Sequence, residues 1–177
     1  MPLDPGSFRP PVPPWRIAIA GGGVAGLALA LALRQGLGAA IDVVLCDPAL
    51  KRDSASDRRA YAVAADARRM LIVLGVWPAL AGAVQPIRDM VVTDSRLQDP
   101  VRPVFLTFAG EVEPGEPFAH MVEGGTLTTA LLAACAAAGV TLRNTAVRGA
   151  VVQAQAIEAE LVGGERLRCA LVVAADG

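Results

Sequence analysis

The stretch WRIAIAGGGVAGLALALALRQGLGAAIDVVLCD, residues 15–47, constrains the fold more than any other part of this chain. An alternating apolar run, 16–20, stops at three glycines. Small residues and leucines then continue from 24 to 35 with Gly26 as the one breaker, and Gly36 and Gly38 end the segment close to Arg34. The pattern predicts a strand, a tight turn and a helix with a glycine stop. A second apolar run, 41–46, closes at Asp47 and Pro48, where proline prevents extension. Together these make a βαβ unit of about 30 residues. The uncharged run between Arg16 and Arg34 is about 17 residues, the lower limit for crossing a bilayer, and its strand-like start and glycines favour a soluble strand-turn-helix.

Gly21, Gly23 and Gly26 form G-x-G-x-x-G directly after a strand and at the start of a helix. Gly21 permits the tight turn, Gly23 lets backbone approach a pyrophosphate, and Gly26 allows the helix to pack closely on the strand. The helix N-terminus, at Val24 and Ala25, offers N–H groups and the positive end of the helix dipole to two phosphates. Asp47 ends the second strand about 20 residues beyond Gly26, where an acid accepts hydrogen bonds from an adenosine ribose and repels a 2′-phosphate. A glycine turn used only for packing is the alternative.

Composition narrows the remaining classes. With 54% hydrophobic and 19% charged residues among 177, the chain has ample core material for one ordinary domain. Sixteen Lys plus Arg against seventeen Asp plus Glu leave no electrostatic footprint for nucleic acid. Three cysteines without a close pair, Cys46, Cys135 and Cys169, and the single His120 suit neither a metal site nor a disulfide framework. Buried free thiols in a reducing compartment fit better, and His120 reads as structural. Residues 1–14 are proline-rich, lack the order of a secretory signal and read as a flexible lead-in, so a cytoplasmic location is expected.

Further along, 51–59 reads as a polar loop, 66–74 as a helix and 87–93 as a strand. Residues 103–108 suggest an edge strand and 118–123 an extended piece. The segment 126–138 reads as a helix capped at Gly125 or Thr126 and stopped by Gly139, with a strand at 140–142 behind it. Runs at 147–153 and 157–162 suggest a hairpin crossing to 166–169, and 171–174 is a last apolar strand reaching Asp176 and Gly177. The expected fold class is α/β: a Rossmann-like dinucleotide-binding domain with an antiparallel excursion over 87–122, as the N-terminal portion, 15–177, of a longer protein whose C-terminal half lies beyond this sequence. That interruption of the strand–helix alternation favours a flavin over a nicotinamide domain.

Several segments together resemble the FAD-dependent aromatic-ring hydroxylases, and within them the ubiquinone-biosynthesis branch. GGGVAGLALA, with Ala30 last, is similar to the family's opening motif. DRRAYAVAADARRMLIVLGVW resembles its Asp-x-Arg segment leading to L-G-x-W, which brings in Asp57, Arg59, Gly75 and Trp77. PIRDMVVTD resembles a family strand, HMVEGGTLTTALLAACAAAGVTL its V-V-E helix, and LVVAADG the start of its D-G motif. The chain departs from the family at Gly124, where relatives carry Asn or Gln, and at Ala64 and Ala67, where they carry serines.

The resemblance implies bound FAD with NAD(P)H as reductant and O2 as the source of the oxygen placed on an aromatic ring. It implies Arg59 near the flavin and the substrate, Asp176 with Gly177 near the ribityl or pyrophosphate region, and the backbone at Ala146 or Val147 near the adenine. No protein nucleophile, catalytic carboxylate pair or metal ligand is expected. The implied substrate is a polyprenylated aromatic ubiquinone precursor, with contact at a membrane surface and a homo-oligomer or a quinone-biosynthesis complex as the setting. The 177 residues alone are expected to be inactive. Another FAD- or NAD(P)-dependent oxidoreductase acting on an unrelated small molecule, or a noncatalytic FAD-binding module, would use the same glycine turn.

Overall fold

The computed structural model describes residues 15–51 and 57–177, so the lead-in and the middle of the 51–59 loop lie outside the described residues. In chain order the elements are β1 (Trp15–Ala20), α1 (Val24–Leu37), β2 (Ile41–Cys46), β3 (Ala60–Ala64), α2 (Ala65–Val73), β4 (Val84–Ile87), β5 (Asp89–Thr93) and β6 (Val104–Ala109). They continue as β7 (Glu111–Glu113), β8 (Glu116–Pro117), β9 (Ala119–Glu123), α3 (Gly124–Ala137), β10 (Thr141–Arg143), β11 (Val147–Val152), β12 (Ile157–Leu161), β13 (Arg166–Cys169) and β14 (Leu171–Ala174). The chain is mixed α/β and divides into two compact units, one from residues 15–51 with 128–177 and the other from 57–127.

The first unit is built on a parallel sheet ordered β10-β2-β1-β14. Successive strand residues point to opposite faces, so Ala18, Val44 and Cys46 share one face. On that face they form a core with Ala159, Leu161, Leu167 and Cys169 of the antiparallel β11-β12-β13 sheet. The other set, Ile17, Ile19, Val43 and Leu45, is buried as well, and α1 packs along β1 and β2. Burial on both faces explains why these strands are nearly continuous apolar runs.

Helix α1 buries Gly26, Leu27, Ala28, Ala30 and Leu31 and ends where Gly38, at φ +58°, returns its N–H to the Arg34 carbonyl. Arg34 also donates to the carbonyls of Gly38 at 2.6 Å, Ile41 at 3.0 Å and Ala138 at 3.0 Å. One guanidinium therefore satisfies carbonyls beyond the ends of both α1 and α3. The buried Cys135 thiol donates to the Leu27 carbonyl at 3.3 Å, joining the two helices.

The second unit centres on the antiparallel sheet β3-β9-β4, with α2 starting directly from β3. Arg68 and Arg69 of α2 both pair with Glu116, Arg68 at 3.0 Å, and Arg68 stacks 5.4 Å over the Trp77 ring. Trp77 in turn meets the buried His120 edge to face at 5.3 Å, in keeping with a structural histidine. The segment expected as one strand at 87–93 is two: β4 ends at Ile87 in the β9 sheet, and β5 begins at Asp89 and pairs with β6. The strand-like segment continues past Arg88, but the hydrogen-bonding partner changes there. β3 is an unanticipated strand, and α3 begins two residues earlier than read because Gly124 itself enters the helix.

Candidate functional site

The glycine turn joins β1 to α1 at the C-terminal edge of the parallel sheet. Gly21 has φ +117°, a conformation that L side chains avoid, and its N–H donates to the Cys46 carbonyl at 2.9 Å. A Cβ there would stand 2.4 Å from the Ala175 carbonyl oxygen and 2.7 Å from the Asp176 nitrogen. The turn is thus packed against the backbone that leads from β14 to Asp176 and Gly177, both of them exposed.

Gly23 differs from its neighbours: a Cβ added there meets nothing within 4 Å. It is the N-cap of α1, no side chain caps the helix, and no acid lies in its first turn. The helix start at Val24 and Ala25, half-buried and exposed, thus presents N–H groups and positive dipole potential beside open space.

Asp47 closes β2 and does more locally than a free acceptor would. Its Oδ2 accepts the Gly22 N–H at 2.7 Å and its Oδ1 accepts the Ala49 N–H at 2.5 Å. The carboxylate therefore ties the glycine turn to the loop after β2, and each oxygen keeps a further lone pair. A Cβ on Gly22 would press on Asp47 Cβ at 2.9 Å and on Leu50 Cδ2 at 2.9 Å.

Beside this corner lies a cavity of about 390 Å3 lined by Leu50, Lys51, Leu132, Leu142, Arg143 and Asn144. The Arg143 carbonyl accepts the Asp47 N–H at 3.1 Å, and Asn144 Oδ1 accepts the Lys51 N–H at 3.1 Å. These residues escaped the sequence reading, since a lone Arg-Asn after a short strand carries no motif. Val147, expected near the adenine, opens β11 opposite Leu161 and packs on the core between the sheets; the Ala146 carbonyl accepts the Val162 N–H at 2.9 Å.

Arg59 belongs to the second unit. Its backbone N–H, Nε and Nη2 all donate to the Asp57 carboxylate, at 3.1, 2.9 and 2.8 Å. Those bonds hold the Asp57 carboxyl well below its ordinary range, at about 2, and push the guanidinium up. The Arg59 side chain remains 76% exposed, so one edge is held and the rest is presented to solvent. The same unit carries a cavity of about 570 Å3 lined by Met90, Phe108, Val112 and Phe118, with Thr107 and Glu111 at its polar side.

Fold and site define a mixed α/β protein with a parallel sheet, antiparallel additions and a glycine turn at the sheet's C-terminal edge. No protein-family model matches the chain. It is 33% identical over 169 residues to the ubiquinone hydroxylase UbiL of Rhodospirillum rubrum, covering 91% of this chain and 37% of that protein. Among solved structures, 2-methyl-3-hydroxypyridine-5-carboxylic acid oxygenase matches with a TM-score of 0.64 at 26% identity, over 92% of this chain and 40% of its own. The Diels-Alderase PyrE3 shares the fold, with a TM-score of 0.69 at 20% identity over 92% of this chain and 32% of its own. The chain therefore spans well under half the length of these relatives. Over that part it resembles the FAD-dependent aromatic-ring hydroxylases and their ubiquinone-biosynthesis branch, as the motifs implied. No described helix is long and apolar enough to cross a membrane.

Proposed function

We propose that this chain is the N-terminal, Rossmann-like FAD-binding portion of a monooxygenase that hydroxylates an aromatic ring of a ubiquinone precursor with NAD(P)H and O2. The observation that carries the reading is the open side of Gly23 at an uncapped helix N-terminus, with Asp47 locking the turn. This cradle suits a pyrophosphate: backbone can reach the ligand there, and helix N–H groups and dipole favour negative charge.

Within this reading Gly21, Gly23 and Gly26 shape the turn, Val24 and Ala25 supply amides to the phosphates, and Asp47 accepts from the ribose while holding the Gly22 amide. Asp176, whose backbone nitrogen lies against Gly21, and the following Gly177 flank the pyrophosphate or ribityl side, and the backbone near Val147 belongs to the adenine side. Bound FAD, reduced by NAD(P)H, supplies the oxygen-activating chemistry. Arg59 contributes a fixed positive charge towards an anionic cofactor or ring. Segment 87–122 begins the substrate layer, and its cavity lined by Met90, Phe108, Val112 and Phe118 suits an apolar aromatic ligand. A polyprenylated substrate implies work at a membrane surface from the cytoplasm, in a homo-oligomer or a quinone-biosynthesis complex.

The test is the visible spectrum of the whole protein that carries this sequence, with the chromophore identified after denaturation. Oxidised-flavin bands and released FAD support the reading. A colourless protein that takes up no added FAD overturns it in favour of a nicotinamide-dependent or noncatalytic module.

A further inference from the structure

Gly124, at the start of α3, is buried and lies directly against the Asp57–Arg59 pair. Its N–H donates to the Arg59 carbonyl at 2.6 Å, and the Gly125 N–H donates to the Asp57 carbonyl at 3.1 Å. Two amides of the helix start are thereby satisfied by the loop.

A Cβ on Gly124 would stand 2.9 Å from Tyr61 Cε2, 3.0 Å from the Arg59 carbonyl oxygen and 3.0 Å from Asp57 Oδ2. The last is the oxygen that accepts Arg59 Nη2. The tyrosine ring can swing away, but the carbonyl is backbone, and the shift of a few tenths of an ångström that the carboxylate must make strains the fork that holds the guanidinium. Gly124 is not among the glycines of positive φ, so the requirement is for space and not for an unusual backbone.

We propose that Gly124 is a positioning residue for Arg59: the absence of a side chain lets the loop from Asp57 to Arg59 close on the helix start and fixes the guanidinium's direction. This rests on the reading of Arg59 as a group that faces the cofactor or substrate. Any side chain at position 124 opens the latch and lets Arg59 swing, while α3 and the sheet persist because its backbone φ is open to all residues.

The experiment compares the whole protein with its Gly124→Ala, Gly124→Asn, Asp57→Ala and Arg59→Ala variants and with Gly124→Ala/Arg59→Ala. Amide hydrogen exchange at Gly124 and Gly125 is expected to quicken about tenfold in the Gly124 variants. FAD affinity is expected to fall about tenfold in Gly124→Ala, with no further loss in the double variant, since both changes act through one guanidinium. Asp57→Ala frees Arg59 without adding bulk, gives the same loss, and carries the test if the Gly124 variants do not fold. Unchanged exchange, unchanged affinity in Asp57→Ala, or additive losses in the double variant overturn the proposal. A wild-type protein that binds no FAD sinks the functional reading instead, and the exchange rates still decide whether the latch exists.

Discussion

Gly21 and Gly26 close the turn on each other: a Cβ on Gly26 would stand 2.1 Å from the Gly21 carbonyl oxygen. No rotamer relieves that contact, because both partners are backbone-fixed. Gly26→Ala is therefore expected to destabilise the protein by at least about 1–3 kcal/mol and to lower Tm by about 2–4 °C for each of those kcal/mol. Gly23→Ala adds its methyl to open space, so Tm should hold while FAD affinity falls about tenfold or more. Thermal melts paired with flavin titration separate the two; equal FAD binding by Gly23→Ala would remove the pyrophosphate from this turn.

Asp47 bridges the Gly22 and Ala49 amides through its two carboxylate oxygens. Asp47→Ala leaves both donors without this acceptor and is expected to cost about 1–3 kcal/mol in urea unfolding. Asp47→Asn keeps one acceptor oxygen and should fall between the two. If Asp47→Ala unfolds at the wild-type urea midpoint, the carboxylate does not hold the turn.

His120 is buried against Trp77, and its Nδ1 has no hydrogen-bond partner among the described residues. Burial, with Arg68 adding like-charge repulsion, pushes its pKa down, and Glu116 opposes weakly. The folded pKa thus lies below the unfolded value of about 6.5. The unfolded chain takes the proton first, so this contribution is complete above that pH and is lost as pH falls through the folded value. Stability from urea unfolding should decline as pH falls below about 7, and His120→Gln should flatten the slope there. Asp57 and Glu116, whose pKa values are lowered by their arginines, lose their contributions only below about pH 5. An unchanged slope in His120→Gln would place the titration elsewhere.

The three thiols, Cys46, Cys135 and Cys169, are free and buried. Burial raises all three, Cys135 to about 11, and leaves little thiolate near neutrality. Ellman's reagent at pH 8 should leave Cys46, Cys135 and Cys169 unlabelled over minutes in the native protein and label all three once it is denatured. Rapid native labelling would contradict the packing of Cys46 and Cys169 between the sheets.

What could be read from sequence was local. The strand before Gly21, the helix to Leu37 and the strand ending at Cys46 follow from apolar period, glycine placement and a proline stop within a few residues of each boundary. An acid at position 47 was equally legible. That its carboxylate locks Gly22 and Ala49 was not, because the bond depends on β1 and β2 lying in register, Ala20 beside Cys46.

Sheet order was decided only by tertiary structure. β10 joins β2 and β14 joins β1, pairings between segments far apart in the chain that periodicity does not encode. The same holds at Arg88, where one strand-like segment is divided between two partners, and at β3, whose alternating small residues become a strand only against β9. Gly124 is the sharpest case. The sequence by itself marked a glycine where the resembled family carries an amide side chain, but the reason is three-dimensional: Asp57 Oδ2, the Arg59 carbonyl and the Tyr61 ring converge on the space a Cβ would fill. Local pattern determined which segments are strands and helices; long-range pairing and close packing decided which of their residues meet.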